Sequence, residues 1–184
     1  LRYLFPFTST VRVGALYSRS EIELGREYTD VMARSKGKMM SLYSMYDFYT
    51  TDNINATLNL GFDYKDNFNF QLGDEESRDR MRVVKLGFDI DVLDEWNGRT
   101  IISPEIDTGI PRFMGGLDTT DPKASRQGSG GRFVKGTLML VRLQKMPYDT
   151  SLLLKNQFQF TPHVLTATEQ FQLGGIANNR GYAS

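Results

Sequence analysis

Between Asn53 and Asp66 the chain reads NINATLNLGFDYKD, and its side chains alternate without a break. Ile54, Ala56, Leu58, Leu60, Phe62 and Tyr64 take one face; Asn55, Thr57, Asn59, Gly61, Asp63 and Lys65 take the other. A period of two specifies a strand, because a helical apolar face recurs every 3.6 residues. About 11 alternating residues also suit a strand tilted across a bilayer better than the roughly 5–6 residues of an ordinary globular strand. The pattern recurs in VVKLGFDIDVLD, where Val84, Leu86, Phe88, Ile90 and Val92 oppose Lys85, Gly87, Asp89 and Asp91. It recurs again in RTIISPEIDTGIP, where Ile102, Pro104, Ile106, Thr108 and Ile110 oppose Ser103, Glu105, Asp107 and Gly109.

Other segments alternate less cleanly. Val11, Val13, Ala15 and Tyr17 share a face, but Leu16 falls on the polar side. Lys38–Phe48 is apolar or aromatic on both faces, Lys135 interrupts Phe133–Lys145, and Asn156 is out of place in Ser151–Thr161. Together these predict seven full strands and the end of another at Arg2–Phe5. The connectors alternate in length. Pro6–Ser9, Tyr49–Asn53, Asp94–Gly98 and Met146–Thr150 read as tight turns; Gly25–Gly37, Asn67–Arg80 and Pro111–Gly131 read as long polar loops. Short turns at one end and long loops at the other are the habit of an outer-membrane barrel. Aromatic residues crowd both ends, with Tyr46, Phe48, Tyr49 and Trp96 near short turns and Tyr64, Phe68 and Phe70 near long loops, as interfacial girdles require.

Composition excludes several classes. The chain has 22 basic and 22 acidic residues, so no basic excess points to nucleic acid. With no cysteine and a single histidine, His163, it can build neither a thiolate site, a Cys nucleophile nor a multi-His metal centre. No apolar run reaches the roughly 18 residues of a membrane helix, which leaves a strand-built barrel open. The expected fold is therefore all-β, a fragment of a transmembrane antiparallel up-and-down barrel. Its polar face, with Asn59, Asp63, Lys85, Asp89, Asp91, Glu105 and Asp107, would line a hydrated lumen. The same acids could be read as a paired-carboxylate glycosidase site. His163 follows Pro162 with no evident Ser and Asp partners and reads as an exposed loop residue. Asp118–Pro122 lacks cation-loop spacing, and Arg126–Gly131 lacks the Lys-Ser/Thr of a phosphate loop and reads as a flexible outer loop.

The most informative segment is EQFQLGGIANNRGY, Glu169–Tyr182. Gly174 and Gly175 permit tight turns with positive φ, and Arg180 beside Gly181 leaves its planar fork free to meet a carboxylate bidentately. Composition alone would favour a solvated glycine-rich surface loop. The segment resembles the EQFxLGGxxSVRGY signature of the two-partner secretion transporters (TpsB, the ShlB/FhaC/HecB haemolysin secretion and activation proteins), within the superfamily that includes the barrel-assembly protein BamA. Upstream, GGRFVKGTLMLVRLQKMPYDTSLLLKNQFQF resembles the family's strand, short turn and strand leading into that signature. GKMMSLYSMYDFYTTDNINATLNLGFDYKD and EWNGRTIISPEIDTGIP resemble its other hairpins. Asn179 replaces the family's usual Val.

The resemblance implies a sixteen-stranded barrel preceded by two periplasmic POTRA domains, of which this chain would carry about eight strands and the start of the inward-folding sixth outer loop. Opening at Leu1 and ending after a Gly/Asn-rich stretch, the chain is expected to be an internal piece: residues 1–184 belong to one C-terminal barrel domain, with strands over about 1–161 and the motif loop over about 162–184. The resemblance further implies that Arg180, Gly181 and Tyr182 anchor the loop, Gly174 and Gly175 turn it, and Phe171 belongs to the same motif. The partner of Arg180 would be an acid on a later strand. The implied activity is export of an unfolded exoprotein across the outer membrane of a Gram-negative-type bacterium by a monomeric barrel in contact with lipid and lipopolysaccharide. No enzyme chemistry, cofactor or metal is implied. The alternatives are a BamA- or TamA-like assembly factor and, more distantly, a passive porin or barrel enzyme.

Overall fold

The computed structural model describes residues 1–23 and 33–171. Eight strands follow one another as a single antiparallel meander: β1 (Arg2–Pro6), β2 (Val11–Glu23), β3 (Arg34–Thr50), β4 (Ile54–Gln71), β5 (Asp74–Leu93), β6 (Gly98–Gly109), β7 (Phe133–Lys145) and β8 (Ser151–Phe160). Each strand pairs with its chain neighbours, so sheet order equals sequence order, and β1 and β8 form the edges. This is the up-and-down topology the alternation predicts.

Register carries each face across the sheet. Gly14, Tyr43, Gly61, Lys85, Asp107 and Lys135 lie side by side on the inner face; Ala15, Leu42, Phe62 and Val84 form the adjoining row on the outer face. The inner row explains Gly14. The Tyr43 ring lies flat across it, and a Cβ there would stand 2.3 Å from the ring. Arg2 Nε donates to the Tyr43 hydroxyl at 2.9 Å and fixes the ring in that position. The two-sided apolar pattern of Lys38–Phe48 persists in the sheet, with Met40, Leu42 and Tyr46 on the outer face and Met39, Tyr43 and Met45 on the inner one; a bulge between Asp47 and Tyr49 ends it, and Phe48 meets the edge of Phe88.

Two loop expectations need correction. Asn67–Arg80 is not a long loop: β4 and β5 continue past the apolar band and close through Leu72 and Gly73, both at positive φ, with Gly supplying the second left-handed position. Past Tyr64 the apolar face turns polar, with Asp66, Arg80 and Arg78, so the alternation that marks a strand fades there. Likewise β3 begins at Arg34, inside the expected Gly25–Gly37 loop. Pro111–Gly131 is a connector, as expected, but a packed one. Ser129 is buried and Gly130 fits against the carbonyl of Thr119, where a Cβ would stand 2.4 Å away. Within Arg126–Gly131, Arg126, Gln127 and Gly128 are exposed, and Ser129, Gly130 and Gly131 are buried.

Burial is inverted relative to a water-soluble sheet. Leu42, Leu60, Leu86, Phe88 and Ile106 are exposed, while Asp63, Asp79, Asp107, Lys135 and Glu169 are buried. The buried apolar cluster is small: Met81, Val83, Leu117, Ala124, Phe133 and Leu165 gather where two connecting segments cover the inner face at the long-loop end.

Candidate functional site: the charged inner wall

All seven residues singled out on the polar face, Asn59, Asp63, Lys85, Asp89, Asp91, Glu105 and Asp107, share the inner face by register. They fall into separate groups. Toward the short turns, Asp91 holds Arg99 through both carboxylate oxygens, and Asp89 accepts from Asn59 Nδ2 at 2.6 Å and from the Ser103 hydroxyl. Nearby, Asp47 accepts two bonds from Arg12, at 2.7 and 2.9 Å, and one from Thr57 at 2.7 Å. Midway, Lys85 faces Asp107 across the β5–β6 pairing and reaches Glu105 at 3.0 Å.

Toward the long loops the wall closes around one residue outside that set. After β8 the chain turns back, and a 3-10 turn over Ala167–Glu169 delivers the Glu169 carboxylate onto the wall. Lys65 Nζ of β4 meets Oε1 at 2.8 Å, and Lys135 Nζ of β7 meets Oε2 at 2.6 Å. Lys65 also lies 3.6 Å from Asp63, and Lys135 lies 3.2 Å from Asp107. The result is a chain of alternating charge: Asp63, Lys65, Glu169, Lys135, Asp107. Burial would raise the Glu169 carboxyl, but the ammonium groups of Lys65 and Lys135 and their hydrogen bonds hold it below the usual 4.5.

Three further bonds tie the covering segments together. Asp79 on β5 accepts from the Ser125 amide at 2.9 Å and hydroxyl at 2.6 Å, and that hydroxyl accepts from the Ala167 amide at 2.9 Å. Leu165 fills the apolar cluster beside Leu117 and Phe133. The long connector and the segment after β8 therefore dock as a unit over Met81 and Val83.

Phe171, half-buried, ends the described part of the motif segment. Gly174, Gly175, Arg180, Gly181 and Tyr182 lie outside the described residues. His163 is exposed, and its Nδ1 accepts from the Val134 amide at 3.3 Å, which fixes the start of the return segment. In Asp118–Pro122 both acids serve local turns: Asp118 is held below the usual carboxylate range by its bond to Arg112, and Asp121 caps the Lys123 amide. Among the described residues no group of three or more His, Cys, Asp or Glu is arranged to hold a metal ion.

Sequence reasoning missed Glu169 and Lys135 as partners. Lys135 broke an apolar face and Glu169 opened the motif, and both were signals, but nothing local shows that they meet.

No protein-family model matches the chain, and no curated protein matches it. Among solved structures it is similar to CdiB from Escherichia coli, with a TM-score of 0.82 and 18% identity, over 98% of this chain and 34% of that one. The chain thus spans about a third of the length of the CdiB chain it matches. The fold is TpsB-like: an all-β, up-and-down sheet that superposes on a fragment of a barrel.

Proposed function

We propose that this chain is part of an outer-membrane barrel of the two-partner secretion type, which passes an unfolded exoprotein of the haemolysin or adhesin kind outward through a polar lumen. One observation carries the reading. The apolar face is exposed, the charged face is covered, and the segment leading into the Arg-Gly-Tyr motif folds back onto that charged face. A sheet with oil-compatible side chains outside and paired ions inside is stable in a bilayer around a hydrated passage. The terminal motif and the likeness to CdiB support the transporter reading over a passive porin.

In this reading the inner wall contributes hydrated polar groups of both signs along the path, among them Asn59, Asp89, Lys85 and Glu105. A chain crossing it finds no continuous apolar surface on which to stick. Glu169 fixes the base of the inward loop; Arg180, Gly181 and Tyr182 would anchor its tip, and Gly174 and Gly175 would turn it. Two POTRA domains in the complete protein would receive the client, and folding of the client outside would supply the free energy. The chemistry calls for no enzyme activity, nucleotide or metal. The barrel would act as a monomer in lipid and lipopolysaccharide.

The test is Arg180→Ala in the full-length protein. Secretion of the partner exoprotein should fall at least tenfold while the amount of heat-modifiable barrel in the outer membrane stays level. Undiminished secretion would refute the role given to the motif. Loss of outer-membrane protein assembly with no effect on an exoprotein would favour the assembly-factor alternative.

A further inference from the structure

A second charged cluster lies on the opposite face, and the lumen reading makes no use of it. Cross-strand pairing sets Arg19, Lys38, Asp66 and Arg80 side by side in one outer row, with Glu21, Lys36, Phe68 and Arg78 in the next. The row below holds Tyr17, Met40, Tyr64 and Arg82. The acids are already engaged. Asp66 takes Arg82 at 2.9 Å, and Glu21 is held by Arg34. Arg82 itself is a buried structural ion, stacked 3.4 Å above the Tyr64 ring and donating to the carbonyls of Lys65 and Met114. Among the described residues Lys38, Arg78 and Arg80 make no ion pair, and the Nε atoms of Arg78 and Arg80 are shielded with no hydrogen-bond partner.

Position matters as much as charge. Ile54 to Tyr64 is eleven residues, about 33 Å of strand and about 23 Å along the membrane normal at a tilt near 45°. That nearly fills the roughly 25 Å apolar band of such barrels. The Lys38–Arg80 row stands one step further out, at the level of lipid headgroups. Directly beneath it an apolar groove of about 330 Å³ runs between Tyr3, Tyr17, Met40, Leu42, Phe62 and Met114. Lys38 lies over Tyr64 and Lys36 over Phe70, at 5.9 and 5.8 Å from the ring centroids; Lys36 also reaches Glu21 at 4.0 Å, whereas Lys38 has no carboxylate partner among the described residues.

We propose that this patch is a binding site for a phosphorylated glycolipid of the outer leaflet, with an acyl chain in the groove and a phosphate held by Lys38 and Arg80. The two cations stand two strands apart, about 10 Å, within reach of one phosphate through flexible side chains. Arg19 and Arg78 flank them, and Phe68 and Phe70, further out, offer flat faces to the sugars. The inference rests on the outer-membrane reading but not on secretion.

The experiment uses the full-length barrel purified in detergent, with lipopolysaccharide, its dephosphorylated form and inorganic phosphate as probes in native mass spectrometry. Lys38→Gln with Arg80→Gln should weaken lipopolysaccharide binding at least tenfold, and Arg80→Gln alone should weaken it measurably. Removing the phosphates should cost the wild type a similar factor. Swapping the cations (Lys38→Arg with Arg80→Lys) should preserve binding, and millimolar phosphate should not displace the lipid. Wild-type affinity in the double Gln variant, or phosphate alone binding as tightly as the lipid, would overturn the site. A protein that does not fractionate with the outer membrane would overturn the reading beneath it instead.

Discussion

Asp107, Lys135 and Glu169 at the long-loop end of the inner wall, and Asp91 with Arg99 at the short-turn end, are built from the same chemistry on the same face. Their surroundings differ. The Glu169 side chain is 1% exposed and its two lysines 16% and 11%, whereas the Arg99 side chain is 59% exposed. A desolvated ion depends on its partners, because removing one leaves an uncompensated charge; a hydrated ion pair gains little over its contacts with water. The comparison teaches that charge on this wall is structural where the connecting segments cover it and contributes little to stability where they leave it to water.

The sharpest way to break the comparison is Glu169→Ala. It leaves Lys65 and Lys135 with only their longer contacts to Asp63 and Asp107 and should destabilise the docking of the covering segments by about 3 kcal/mol, within the range for breaking a buried pair. The measurement is hydrogen exchange over 165–170 in the intact barrel. Replacing the whole set (Asp63→Leu, Lys65→Met, Glu169→Leu, Lys135→Met, Asp107→Leu) should restore most of that loss, since apolar substitutes of similar volume often equal a buried ion cluster.

Acid should act in the same place. The native Glu169 carboxyl lies below 4.5, so its contribution is full above that value and is lost as pH falls through the lowered one. The chain lacks cysteine, so Ala167→Cys with an environment-sensitive label reports the release. A docking signal that stays flat from pH 6 to about pH 3 would contradict the proposed clasp.

At the hydrated end the effects should shrink. Asp89→Asn keeps the shape and most hydrogen bonding to Asn59 and Ser103 and should cost about 1 kcal/mol or less in barrel stability by denaturant titration. Arg99→Gln should leave the midpoint unchanged. A large loss at either position would mean that this end of the wall is covered too.

Much of the architecture was legible because a period of two is a local property. Ile54 through Tyr64 identify the outer face with no knowledge of neighbours, and Asn59, Asp63, Lys85 and Asp107 follow onto the inner face by parity. The β4–β5 extension escaped notice because the signal depends on one face being apolar, and past Tyr64 the outer face turns to Asp66, Arg80 and Arg78. The buried Arg82 escaped for a related reason: a cation on the outer face makes sense only once Met114, from a connector 32 residues away, is seen above it.

The sequence by itself determined which side chains share the apolar outer face and which the charged inner one, where most of the strands turn, and that the fold is an antiparallel meander, since alternation and turn chemistry act over a few residues. Only the tertiary structure decided that Lys65 and Glu169, 104 positions apart, form an ion pair, and that the long connector covers one end of the wall. Those outcomes depend on the register of β4 through β8 and on where the return segment lands. No local pattern encodes them, because electrostatic partners are chosen by proximity in space.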